Sequence, residues 1–105
     1  MTKAVVNPGI CGNISVVDVE RVSKRRVKVN IKSNCEMVVK MSQALSELDK
    51  NEVLKSPLHS IVYQLASEYS LHASCPIPMA ILKAIEVEVG LALPRPVLVN
   101  LTTTE

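Results

Sequence analysis

The stretch Arg26-Val27-Lys28-Val29-Asn30-Ile31-Lys32 decides the fold that we expect for this chain. Its apolar residues alternate strictly with charged or polar residues, and a period of two places all the apolar side chains on one face of a β-strand. A second apolar run, over residues 14–22, lies upstream and is separated from the first by Ser23-Lys24-Arg25. The two runs therefore predict an antiparallel hairpin with one buried face and one face in water.

Helical periodicity follows this hairpin. Ser33 and Glu36 match a capping box, and the apolar residues after them recur at intervals of three and four. A second segment repeats this spacing, and a third begins near Pro76 or Pro78 and ends at Gly90, because glycine suits the position after a helix. We therefore predict an α+β fold with two layers, in which three helices cover a small, mostly antiparallel sheet. The predicted strands span 3–6, 14–22, 26–32 and 96–101, and the predicted helices span 34–48, 58–70 and 77–89.

Length and composition limit the possible functions. The chain has 105 residues, which predicts a single domain over 1–105, and 48% of them are hydrophobic. A net charge of +2 and the near-absence of aromatic residues argue against a nucleic-acid partner. The first apolar run is too short for a signal peptide, and none approaches the roughly 20 residues that cross a bilayer. We therefore expect a cytoplasmic protein without a membrane or nucleic-acid partner, and a homodimer through the sheet edge or the third helix stays open.

The chain contains three cysteines, an odd number that does not favour a structural disulfide in a reducing compartment. Cys11 lies in the loop after the first predicted strand, and Cys35 begins the first predicted helix. Cys75 lies with His72 in the connection after the second helix. Elements joined by short connections run antiparallel, so we expect these three places to share one pole of the domain, with His59 at the other.

This grouping has three interpretations. In the first, Cys11, Cys35 and Cys75 bind Zn²⁺ or an iron–sulfur cluster with His72 or water as a fourth ligand, although the chain has no Cys-x-x-Cys pair. In the second, Cys35 or Cys75 is a redox or nucleophilic thiol with His72 as its base. In the third, the cysteines are inert and the domain is a structural or protein-interaction module. We take metal binding as the hypothesis to test and leave open whether the protein is an enzyme.

Four segments of the chain also resemble a known family when they are taken together: Asn7-Pro8-Gly9-Ile10-Cys11-Gly12, Ser33-Asn34-Cys35, Leu71-His72-Ala73-Ser74-Cys75-Pro76 and Ala84-Ile85-Glu86-Val87-Glu88-Val89-Gly90-Leu91-Ala92-Leu93-Pro94. The family consists of small bacterial and archaeal proteins whose function is uncharacterised. The resemblance spans nearly the whole chain. It implies no activity and transfers no catalytic residue, but it indicates that the cysteine-bearing loops form a set.

Overall fold

The computed structural model describes residues 1–104, which contain one four-stranded antiparallel sheet. Its strands are β1 (Thr2–Val6), β2 (Ser15–Arg21), β3 (Arg26–Ser33) and β4 (Glu47–Asp49), and they lie side by side in chain order. The strictly alternating stretch forms β3. Val19 pairs with Val29 across the β2–β3 ladder, so the valine-bearing faces of the two strands coincide. The predicted hairpin is therefore confirmed.

Four helices lie within the described residues: α1 (Glu36–Ala44), α2 (Lys50–Val53), α3 (Ile61–Glu68) and α4 (Ile77–Glu88). Helix α4 packs across β1 and β2, α1 packs against β3, and α3 contacts both α4 and α1. Along β3, buried residues alternate with exposed ones, which places the helices on one side of the sheet. The predicted α+β fold is thus confirmed, with one more helix than the sequence predicted.

The core is filled by aliphatic side chains and methionine, because the chain contains no Phe and no Trp. Val17 and Val19 of β2 are fully buried, and so are Ile81 and Ile85 of α4. All four belong to one hydrophobic cluster with Met41 of α1. Burial of this apolar surface fixes α4 over the first two strands. Because Cys75 lies just before α4, the position of the helix determines where Cys75 lies.

The predicted helix over 34–48 is too long, because α1 ends at Ala44 and the chain then enters β4. The Ser46 carbonyl accepts a hydrogen bond from the Val29 N–H at 3.0 Å, and Leu48 pairs with Val27. Both Leu45 and Leu48 are buried, and their spacing of three fits one face of a helix as well as a turn followed by a strand. Pairing with β3 decides the outcome because it satisfies backbone groups at the edge of the sheet.

The other two predicted helices are found with corrected bounds. The second begins at Ile61 rather than at residue 58, because residues 57–59 form a turn that ends at the buried Ser60. The Ser60 hydroxyl donates a hydrogen bond of 2.6 Å to the Val53 carbonyl. The third matches α4 within one residue, and Gly90 follows it with a φ of +81°, the conformation predicted for that position.

The predicted strand over 96–101 is wrong, because no residue from 91 to 104 pairs with the sheet. Pro94 and Pro96 have no N–H to donate to a ladder, and β4 occupies the edge beside β3. The segment instead has no regular secondary structure, and Leu98 and Leu101 are 78% and 90% exposed. No helix in residues 1–104 is both long enough and apolar enough to span a membrane.

Candidate functional site

The loop that carries Cys11 and the helix start that carries Cys35 lie at the same end of the sheet. Val6, the last residue of β1, pairs with Ser15, and Ser15 pairs in turn with Ser33 at the end of β3. Ser15 is fully buried, and its hydroxyl lies 2.7 Å from the Ser33 hydroxyl. This end of the sheet, together with Cys11, Cys35, His72 and Cys75, is called the thiol pole below.

Cys35 is the N-cap residue of α1 and is half-buried. Its N–H donates to the Ser33 hydroxyl at 3.1 Å, and its carbonyl accepts the first helical hydrogen bond from Val39 at 2.9 Å. The capping box predicted between Ser33 and Glu36 does not form, because Ser33 belongs to β3 and bonds to Cys35 instead. Cys35 also packs against the hydrophobic cluster, so its position is fixed from two sides.

The direction of α4 brings Cys75 to the thiol pole. Glu88, at the far end of α4, accepts hydrogen bonds from Thr2 at the start of β1 and from Arg21 at the end of β2. Helix α4 has 12 residues and is about 18 Å long, which is close to the roughly 17 Å length of the five-residue strand β1. The start of α4 therefore lies over the opposite end of β1, where Val6 leads into the Cys11 loop.

Cys75 and His72 belong to one turn, in which the Cys75 N–H donates to the His72 carbonyl at 3.0 Å. Cys75 is half-buried against the hydrophobic cluster, whereas His72 is exposed. Within residues 1–104 the His72 imidazole makes no hydrogen bond to the Cys75 thiol. The contact that a general base would need is therefore not formed here.

Cys11 is exposed, in a loop whose backbone is set by two glycines. Gly9 and Gly12 have φ values of +89° and +69°, which other residues rarely adopt. The Gly12 N–H donates to the Gly9 carbonyl at 3.0 Å, and the Gly9 N–H donates to Asn7 Oδ1 at 3.1 Å. A Cβ at either glycine would meet no atom within 4 Å, so both positions have open space beside them.

The pKa of the Cys75 thiol is changed by its burial and by groups around it. Burial raises the pKa of the Cys75 thiol above its ordinary value, while a hydrogen bond from the Ile77 N–H acts in the opposite direction. Negative charge at Cys35 and at Cys11 raises this pKa further, because like charges disfavour a third thiolate nearby. The three cysteines come from positions that are 24 and 40 residues apart in the chain.

All three cysteines are free thiols. Across the described residues, no group of three His, Cys, Asp or Glu side chains is already arranged to hold a metal ion. Cys35 and Cys75 lie against the core, while Cys11 lies in the exposed loop.

A groove at the opposite end of the domain was not predicted from the sequence. It has a volume of about 740 Å³, and its lining includes His59, which confirms that the two histidines lie at different poles. Its carboxylates are paired with cations. Arg26 contacts Glu47 at 2.7 Å, and Lys55 contacts Glu52 at 3.1 Å. Paired surface charges of this kind are typical of a solvated face, so the groove gives little indication of chemistry.

The family model for a family of unknown function (DUF6951) matches residues 2–101. No curated protein and no solved structure matches the chain. The matched range covers every strand and helix and all residues of the thiol pole. The chain therefore belongs to this family of unknown function.

Proposed function

We propose that this protein binds a thiophilic metal, as Zn²⁺ or an iron–sulfur species, through Cys11, Cys35 and Cys75, with His72 or water as the fourth ligand. Three chain segments support the proposal: the ends of β1 and β3 place the Cys11 loop and Cys35 at one end of the sheet, and the direction of α4 points Cys75 towards that end. Each segment brings one free thiol. Thiolate-rich sites select Zn²⁺ and iron–sulfur clusters over harder cations such as Mg²⁺.

Two of the ligands would be fixed and the third would approach them. Cys35 and Cys75 pack against the core, so their sulfur atoms form the rigid side of the site. The Cys11 loop faces solvent and its glycines have free space around them, so moving it inwards costs few contacts. Metal binding would then order this loop over the other two cysteines.

The backbone around the site favours negative charge. Cys35 caps the N-terminus of α1, where unpaired N–H groups stabilise an anion. A hydrogen bond from the Ile77 N–H lowers the pKa of the Cys75 thiol, which offsets part of the effect of burial. A bound cation would remove the repulsion among the three thiolates, and its binding would release protons, so its affinity should rise with pH through the neutral range.

The test is a metal titration of protein purified without oxygen and with its thiols reduced. We expect one Zn²⁺ or Co²⁺ per chain, with a thiolate-to-cobalt charge-transfer band for the Co²⁺ form. Each of Cys11→Ser, Cys35→Ser and Cys75→Ser should weaken binding by more than roughly 100-fold, since losing even an outer partner of a metal site costs up to about that factor. A coloured protein as purified, with iron and sulfide, would instead identify the iron–sulfur form.

Histidines at the two poles supply a matched control. His72→Ala should weaken metal binding if the imidazole is the fourth ligand, whereas His59→Ala should leave it unchanged because His59 lies at the opposite pole. Absence of stoichiometric binding, or binding that survives all three cysteine substitutions, would contradict the proposal.

A second candidate function is thiol redox chemistry, and the N-cap position of Cys35 favours it. Cys35 would be the reactive thiol, because burial raises the pKa of Cys75 and keeps that thiol protonated. In metal-free protein this candidate predicts that iodoacetamide labels Cys35 faster than the more exposed Cys11. Labelling that simply follows exposure would exclude it, and together with absent metal binding it would indicate an inert cysteine set. Both candidate functions assume a reducing location such as the cytoplasm.

A further inference from the structure

Residues 93–104, called the tail below, are exposed without exception. Val97, Leu98, Val99 and Leu101 are 52%, 78%, 73% and 90% exposed. Valine and leucine in a short run after a proline favour a β-strand, yet no tail residue takes part in a hydrogen bond recorded for the described chain. Contiguous apolar side chains left in water mark a surface that a partner covers.

The outer edge of β1 has complementary chemistry. β1 is the first strand in the sheet order and pairs only with β2. The backbone N–H and C=O groups of every second β1 residue therefore point away from β2 and have no strand partner. The edge carries no proline, and Lys3 is its one charged residue. Val5, on the uncovered face of β1, is 69% exposed. At the other end of the sheet, β4 has only three residues and offers a much shorter edge.

We propose that two copies of this chain associate by strand exchange, in which the tail of each copy pairs with the outer edge of β1 in the other copy. The lengths agree, because β1 has five residues and the run from Pro96 to Leu101 has six. Pro96 stands at the start of the run, where a missing N–H removes no ladder bond. The added strand would bring apolar tail side chains beside Val5.

A second copy is the partner that these features favour. The tail does not pair with β1 of its own chain. With the tail included, the domain measures 50 × 28 × 25 Å and is therefore elongated in one direction. A two-fold arrangement makes the same contact twice, so two apolar tails and two open edges are covered together. The family match extends to Leu101, so the tail belongs to the domain that defines the family. This inference does not depend on metal binding.

The test is the mass of the full-length protein in solution, measured by sedimentation over a range of concentrations. EDTA and a phosphine reductant are present throughout, so that neither metal nor a disulfide can join two chains. We expect a reversible dimer. Leu98→Asp should raise the dimer dissociation constant by at least about tenfold, a modest loss for an interface residue.

Leu58 provides the matched control, since it is 79% exposed against 78% for Leu98 but lies in the turn before α3. Leu58→Asp should leave the dissociation constant unchanged. A protein that is monomeric at every concentration would overturn the proposal, as would a dimer that both substitutions weaken equally or that neither weakens.

Amide hydrogen exchange tests which strand the tail covers. In the dimer, the tail amides and those β1 amides that point away from β2 should exchange slowly, and both groups should exchange fast in Leu98→Asp, while the β1 amides bonded to β2 should stay protected in both proteins. Slow exchange of tail amides in a monomer would show that the tail pairs within its own chain, and this result would also overturn the proposal.

Discussion

Glu88 at the end of α4 joins the helix to two strands, and replacing it should destabilise the fold. Its carboxylate accepts hydrogen bonds from the Thr2 hydroxyl at 2.7 Å and from the Arg21 N–H at 2.9 Å, and it lies 3.4 Å from the amino terminus. Its side chain is only 12% exposed.

The magnitude follows from these contacts. Glu88→Gln keeps the shape of the side chain and one acceptor oxygen, but it removes the charge that strengthens both hydrogen bonds. A hydrogen bond to a charged group contributes about 1.5–3 kcal/mol, so we expect the free energy of unfolding to fall by about 1–3 kcal/mol. For a domain of this size that corresponds to a drop in melting temperature of roughly 5–15 °C.

The pH dependence gives a second signature of Glu88. The Arg21 N–H, followed by the Thr2 hydroxyl, lowers the pKa of the Glu88 carboxyl below its ordinary value of 4.5. A group whose pKa is lowered in the folded state contributes stability above the unfolded pKa and loses it as the pH falls through the folded pKa. Wild-type protein should therefore lose this stabilisation below about pH 4.5, whereas Glu88→Gln should lack that part of the acid dependence.

The assay is urea unfolding of untagged protein at pH 7 and at pH 3–4, with Glu86→Gln as the control on the same helix. Glu86 is half-buried, and no hydrogen bond of its carboxylate is recorded in the described chain, so its substitution should change stability by no more than about 0.5 kcal/mol. Equal stabilities for the two variants at pH 7 would refute the reasoning, and so would a Glu88→Gln variant with unchanged acid dependence.

Three other substitutions test the fold and the site by the same unfolding measurement. Ile81→Ala empties a fully buried position and should cost about 2–5 kcal/mol, and a cost below 1 kcal/mol would show that the core is not packed as described. Gly90→Ala forces a side chain into a φ of +81° and should cost about 1–2 kcal/mol, and an unchanged or raised stability would contradict that backbone conformation. Cys75→Ser tests the raised pKa of the thiol, because a thiol that stays protonated in the folded protein makes the fold lose stability as the pH rises above 9.0, the ordinary thiol pKa. The wild-type protein should show this loss of stability at alkaline pH, and the variant should lack that part of it. Identical alkaline slopes for the two proteins would contradict the burial of Cys75.

Much of the fold could be predicted because its strongest sequence patterns have one physical solution. The alternation along β3 can bury its apolar face only as a strand, and the apolar surface of α4 followed by Gly90 left little choice of bounds. The pattern from Leu45 to Leu48 is different, because either of two structures, a continuous helix or a turn followed by a strand, would bury both residues. The choice there depends on hydrogen bonds to β3, a distant part of the chain.

Residues 96–101 of the tail were wrongly predicted as a strand because the prediction considered only their composition. That composition favours a strand, but a strand also needs a neighbour, and composition does not provide one. The location of the Cys11 loop and Cys35 at one end of the sheet could be inferred from chain reversals alone. The depth of each thiol could not, because the burial of Cys35 and Cys75 depends on packing against the core, while Cys11 is left in an exposed loop.

X-ray absorption at the zinc edge of the zinc-loaded protein tests the central claim most directly, because it counts the sulfur atoms around the metal. The account predicts three sulfur ligands at about 2.3 Å and one nitrogen or oxygen ligand at about 2.0 Å. A zinc shell made only of nitrogen and oxygen, or one with a single sulfur, would show that the three thiols do not act together.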